Sequence, residues 1–158
     1  MELFPRSIGY LAFTVLHLLC FAFGIAVCGL YGRDISRASK HPDGYADGKW
    51  VYAVVVGAMS VVTSVVYWVP FVLRVSGVVM PVWNFVLFVL WSAVFGVFAK
   101  MYIDEDPEGD GDIKRMKDAV WVDLINMLLW LVATLAAGGY WLKHRETKSR
   151  FTGRANLY

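Results

Sequence analysis

Four long apolar runs, at residues 8–30, 50–73, 78–99 and 120–142, organise this 158-residue chain, and polar stretches separate them. At about 1.5 Å per residue, a helix over each run would be roughly 33–36 Å long, enough for a hydrocarbon core of about 30 Å. None of the runs alternates polar and apolar residues, so the pattern of a membrane β-barrel is absent. The pattern predicts an all-α fold, a transmembrane four-helix bundle. Residues 1–142 would form the membrane domain and residues 143–158 a basic tail. An even number of spans places both termini on one side.

The connections are short. Residues 31–49 are polar and carry Pro42, Gly44 and Gly48; residues 74–77 read as a tight hairpin; residues 100–119 form an acidic loop. None has room for a soluble catalytic domain. The second half does not echo the first in its Pro, Gly or charged positions, which argues against an inverted-repeat transporter. Composition agrees with the pattern: 58% of residues are hydrophobic and 18% charged. Soluble domains run at about 45–50% and 25%. The 15 Lys and Arg are dispersed between the apolar runs, so no basic face for nucleic acid exists. Arg6 before an apolar run resembles the start of a signal peptide, but a signal core has about 7–15 apolar residues. Residues 8–30 are therefore expected to remain as an uncleaved first span.

Charge decides orientation weakly. The terminal side carries seven Lys and Arg and the other side eight, so the positive-inside rule gives a tie. The concentration of cations in the tail against one acid, Glu146, tips the expectation toward cytosolic termini.

Ionisable groups within spans are the first candidates for function, because lipid penalises them. Asp123 is the sharpest. It lies one turn inside the expected fourth span, where a helix N-terminus favours a carboxylate and Lys100 is placed to pair with it. The competing reading makes Asp123 a proton- or ion-coupling group. Asn126, three residues on, shares its face and is expected to bond a neighbouring helix. His17, Thr63, Ser64 and Thr134 fall at similar depth, which predicts a polar layer joined between helices, with Asn84 outside it by depth. A haem would need a second intramembrane histidine, and His41 and His144 lie outside the spans. Cys20 and Cys28 sit about 12 Å apart along one helix, beyond disulfide reach. No Ser/His/Asp or Cys/His arrangement, metal cluster or phosphate-binding glycine loop is present, so neither enzyme chemistry nor a cofactor is expected.

The loop D-E-D-P-E-G-D-G-D spaces Asp104, Asp106, Glu108, Asp110 and Asp112 like the start of a calcium loop, with Gly109 at the turn. Its twelfth position is Arg115 rather than a bidentate Glu, which leaves at most a weak divalent site beside the plain reading of a solvated loop. In the tail, Lys143, Arg145, Lys148, Arg150 and Arg154 would rest on anionic lipid if cytosolic. Small residues recur at four-residue spacing, among them Ala22 and Ala26, Gly24 and Cys28, Ala53 and Gly57, Ser60 and Ser64, and Ser92 and Gly96. Such stripes let backbones approach, within the bundle or between copies in a homo-oligomer. Trp50, Tyr52, Tyr67, Trp68, Tyr102, Trp121, Tyr140 and Trp141 fall near span ends, as an aromatic belt does.

The run K-M-Y-I-D-E-D-P-E-G-D-G-D-I-K-R-M-K-D-A-V-W-V-D-L-I-N-M-L-L-W, residues 100–130, resembles the third loop and fourth span of small fungal proteins with the MARVEL domain. Met101, Tyr102, Met116, Trp121, Asp123, Asn126 and Trp130 belong to that pattern, and G-L-Y-G at residues 29–32 fits it. The resemblance implies a non-enzymatic four-span protein with cytosolic termini, at the plasma membrane or on vesicles. Membrane organisation, apposition or vesicle trafficking would be its role, with lipids and other membrane proteins as partners. It carries over no catalytic residue. The competing expectation is a small ion or proton channel or transporter using Asp123 and His17, which requires a continuous polar path through the bundle.

Overall fold

A computed structural model describes residues 4–40, 47–69, 77–106, 109 and 111–152, with side chains described between residues 9 and 143. Four helices account for most of it: α1 (Phe4–Ala38), α2 (Gly48–Tyr67), α3 (Val79–Tyr102) and α4 (Gly111–Thr152). There is no strand among the described residues. Each helix contains a segment long and apolar enough to cross a membrane: Gly9–Ala38, Gly48–Tyr67, Val79–Tyr102 and Gly111–Lys143. The chain is a multi-pass membrane protein built as a four-helix bundle.

The span boundaries differ from the expected ones, and each difference has a local cause. α1 runs through Arg33, Asp34 and Arg37, where the sequence reads as loop, because two of these side chains find partners on α4. α4 begins nine residues earlier than the apolar run and includes Asp112, Lys114, Arg115 and Lys117 for the same reason. Its first turn carries Asp112, and the last turn of α1 carries Arg37, each suited to the partial charge of its helix end. α2 stops at Tyr67, capped at Trp68, rather than at residue 73. Pro70 disfavours helix at the residue before it. Asp47 opens α2, its Oδ1 accepting from the Lys49 amide at 3.1 Å. Pro81 fits the first turn of α3, where an amide N–H lacks an intrahelical partner in any case. The helix of α4 continues without a break past the membrane-length segment, through residues 143–152.

Inward-facing residues follow one rule on all four helices. On α1 they are His17, Cys20, Gly24, Val27, Tyr31 and Asp34; on α4, Met116, Ala119, Asp123, Asn126, Trp130 and Ala133. α2 buries Ala53, Val56, Ser60, Thr63 and Tyr67, and α3 buries Asn84, Leu87, Trp91, Val94 and Phe98. Gly57, Ser64 and Val120 are buried as well, each next to one of these residues; the rest alternate in steps of three and four, the seam pattern of left-handed bundles. Polar residues occupy many of these positions. The outer faces carry the apolar surplus instead, with Leu11, Val62, Val79 and Leu135 all more than 60% exposed.

α1 packs chiefly on α2, and α3 on α4; α1 and α4 join the two hairpins, and α2 meets α3 only lightly. The α1–α2 contact is backbone-close. A Cβ on Gly24 would lie 3.1 Å from the Gly57 carbonyl oxygen, and one on Gly57 would lie 3.1 Å from that of Gly24. The expected small-residue stripe of Ala53, Gly57, Ser60 and Ser64 thus faces inward, as does Gly24, whereas Ala22 and Ala26 face out.

Candidate functional site

The candidate site is the polar seam between the hairpins. Asp123 sits twelve residues into α4, about 18 Å from its start, and is fully buried. This corrects the expectation of a carboxylate at the helix end, since end effects fade within the first turn. Lys100 is exposed on α3 and makes no ion pair with Asp123 among the described residues. The partner is Tyr31 of α1, whose hydroxyl donates to Asp123 Oδ2 at 2.6 Å. The Tyr31 ring lies 4.4 Å from that of Phe98, which stacks in turn on Tyr102, so α3 closes the far side. Asp123 Oδ1 has no hydrogen-bond partner.

One turn on, Asn126 is also fully buried. Its Nδ2 donates to the Val122 carbonyl of its own helix at 3.1 Å, and its Oδ1 is unpartnered. The expected bond to a neighbouring helix is absent among the described residues. Trp130 follows another turn along, buried, with Nε1 unpartnered. Its ring is 6.0 Å from that of His17, edge to face. His17 Nδ1 lies 2.9 Å from the Phe13 carbonyl oxygen. A carbonyl only accepts, so Nδ1 carries the hydrogen. His17 Nε2 is buried and unpartnered.

The expected polar layer of His17, Thr63, Ser64 and Thr134 does not form as such. The three hydroxyls bond back four residues along their own helices, to Met59, Ser60 and Trp130 carbonyls. A hydroxyl in hydrocarbon reaches its own helix at no cost in helix separation. The bonds between helices come from larger donors. Tyr67 donates to Asn84 Oδ1 at 2.9 Å, and Asn84 Nδ2 donates to the Ala133 carbonyl at 3.2 Å, tying α2, α3 and α4. Trp91 Nε1 donates to Ser60 Oγ at 2.8 Å, Trp83 Nε1 to Thr63 Oγ1 at 3.1 Å, and Tyr52 to the Leu90 carbonyl at 3.2 Å. Asn84 is therefore not set apart from His17: the Tyr67 ring that it bonds lies 5.1 Å from the imidazole. Tyr67 is a core residue rather than a belt anchor, while Trp121 and Tyr140 are exposed as a belt requires.

At the loop end, Arg115 pairs with Asp34 at 2.5 Å and with Asp112 at 3.0 Å, and Arg37 reaches Asp112 at 3.0 Å. Asp34 and Arg115 are largely shielded, whereas Arg37 and Asp112 are about half exposed. Asp112 thus serves a helix-end ion-pair cluster rather than a divalent loop. Asp104 and Asp106 are exposed; Glu108 and Asp110 lie outside the described residues. Gly109 adopts φ +91°, the left-handed turn expected of it. Among the described residues, no three His, Cys, Asp or Glu side chains converge to hold a metal. Lys143 is exposed; Arg145, Lys148 and Arg150 lie on the helical extension with side chains outside the described set, and Arg154 lies outside it altogether.

Two shallow apolar grooves open sideways, one of about 300 Å³ between α2 and α3 beside Val66 and Trp83, the other of about 330 Å³ between α3 and α4 beside Phe85 and Trp141. Tyr31, Asp34, Tyr67 and Trp91 are the seam residues that span-by-span reading missed. The available signal was the three-four rhythm within each helix, which joins Tyr31 and Asp34 to His17 on α1, Tyr67 to Ser60 and Thr63 on α2, and Trp91 to Asn84 on α3. Compared with known proteins, the chain matches no family model, no curated sequence and no solved structure.

Proposed function

We propose that this chain is a non-enzymatic membrane organiser, acting through the lipid- and protein-facing surfaces of its bundle in membrane apposition or vesicle trafficking. One observation carries this reading. The outward faces of all four helices are apolar and exposed, while the polar side chains of the spans are turned inward and largely bonded there. Such a body has its working surface on the outside. The resemblance of residues 100–130 to MARVEL-domain proteins supports it. Removing the protein from cells that make it is expected to redistribute neighbouring membrane components, and re-expression to restore them. An unchanged distribution of every labelled neighbour in the knockout overturns the proposal.

The rival reading, a proton or ion path, draws on the unpartnered atoms of Asp123, Asn126, Trp130 and His17 along one seam. Buried Cys20 and Val27 share that seam and interrupt it. Purified protein in proteoliposomes is expected to give no flux above empty vesicles; flux that Asp123→Asn abolishes would establish the rival.

For orientation we propose cytosolic termini. Protease added from outside should then cut between residues 103 and 110 and spare a tag on the C-terminus. Loss of the tag with an intact loop reverses the topology.

A further inference from the structure

We propose that Asp123 is held as a carboxylic acid, with its Oδ1–H donating to Asn126 Oδ1, so that the bundle carries one bound proton in its central seam. The inference goes beyond the organiser reading and does not depend on it. It rests on the accounting of donors and acceptors. Tyr31 has one hydroxyl hydrogen and gives it to Asp123 Oδ2. Asn126 gives an amide hydrogen to the Val122 carbonyl, which fixes its Nδ2 on that side and leaves Oδ1 as the free end. Two acceptor oxygens, Asp123 Oδ1 and Asn126 Oδ1, then remain fully buried without a donor, and the one buried donor nearby on the same helix, Trp130 Nε1, bonds neither. Residues three apart on a helix have Cβ atoms about 5–6 Å apart, within mutual reach of a carboxyl and an amide. Two bare acceptors in hydrocarbon are costly, and one hydrogen placed between them satisfies both.

The charges around Asp123 support the neutral form. No cation pairs with it among the described residues. From α1 the titratable groups on its side are Tyr31 and, one turn toward the loop, Asp34, which is already bonded to Arg115. From α3 they are Tyr102, behind Phe98, and the exposed Lys100. A metal ion would need several oxygen ligands around an open space, whereas a proton needs none.

Infrared spectroscopy of the full chain in lipid nanodiscs at neutral pH tests this. We expect a carboxylic-acid C=O band that moves when aspartate is carbon-13 labelled and is lost in Asp123→Asn. Tyr31→Phe removes the bond to the carbonyl oxygen and should shift the band to higher wavenumber. Asn126→Leu removes the acceptor of the acid hydrogen and should shift it as well. Should Asp123→Asn fail to fold, the labelled native protein and the other two variants still decide. Absence of an acid band in the native protein overturns the proposal. A band that ignores both Tyr31→Phe and Asn126→Leu belongs to another group and overturns it equally.

Discussion

Arg115→Ala is expected to destabilise the bundle in lipid by about 3 kcal/mol, whereas Arg37→Ala should cost less than about 1 kcal/mol. Both arginines join α1 to α4, Arg115 to Asp34 at 2.5 Å and Arg37 to Asp112 at 3.0 Å. Their surroundings differ. Arg115 and Asp34 are 16% and 9% exposed, while Arg37 and Asp112 are 48% and 59% exposed. Removing Arg115 leaves the Asp34 carboxylate shielded from water without its ion-pair partner, beside the acid Asp112 that Arg115 also holds. Removing Arg37 leaves Asp112 solvated and still paired with Arg115. Equilibrium unfolding in mixed micelles measures both. The double variant Asp34→Asn with Arg115→Gln should cost less than the sum of the two singles, because each single leaves a partner stranded. Equal effects for Arg37→Ala and Arg115→Ala would mean that burial is not what strengthens the pair.

Trp91→Ala should be nearly as damaging, at about 2–3 kcal/mol. Trp91 is fully buried, and it joins α2 to α3, which pack only lightly on each other, alongside the bonds from Tyr52, Tyr67 and Trp83. In water, truncating a core tryptophan costs about 3–5 kcal/mol, part of it lost transfer from solvent. In lipid that part is missing, because a separated helix presents the indole to hydrocarbon; the cavity and the lost contacts remain. Trp91→Phe keeps most of the volume and gives up the bond to Ser60, a contribution of about 0.6 kcal/mol on average in membranes. Leu135→Ala, at a 67% exposed position, serves as the control and should stay within about 0.5 kcal/mol. The same unfolding assay gives all three. A Trp91→Ala cost no larger than that of Leu135→Ala would show that α2 and α3 do not depend on this contact.

The number and kind of elements were legible in the sequence because lipid imposes a simple length rule on apolar runs. The ends were not. Arg33, Asp34 and Arg37, and likewise Asp112 and Arg115, look like loop residues one helix at a time, and only their mutual pairing carries helix through them. Which face points inward was also hidden, since helices apolar all round have no greasy side to find. The polar residues marked it instead: His17, Tyr31 and Asp34 on one helix and Asp123 and Asn126 on another fall on the three-four rhythm. The partners of Asp123 were misread because Lys100 is near in sequence pattern but lies on the outer face of α3, while Tyr31 is 92 residues away. Where hydroxyls would go was misjudged for a plainer reason, that the carbonyl four residues back is always closer than a neighbouring helix.

The division into two hairpins bears on how the chain is made. α1 and α2 emerge from the ribosome as a pair before α3 and α4 exist. Until the second pair docks, the first holds Tyr31 and Asp34 toward an absent partner; the second, arriving, presents Asp123, Asn126 and Arg115 to lipid. An acid facing hydrocarbon is costly, up to about 2.5–3.5 kcal/mol at the bilayer centre on insertion scales. The half-built protein is thus chemically distinguishable from the finished one, and docking of the hairpins both hides the acid and fixes their register. A cell that surveys its membranes for exposed polar groups has, in the unescorted second hairpin, a signal that assembly has not yet happened.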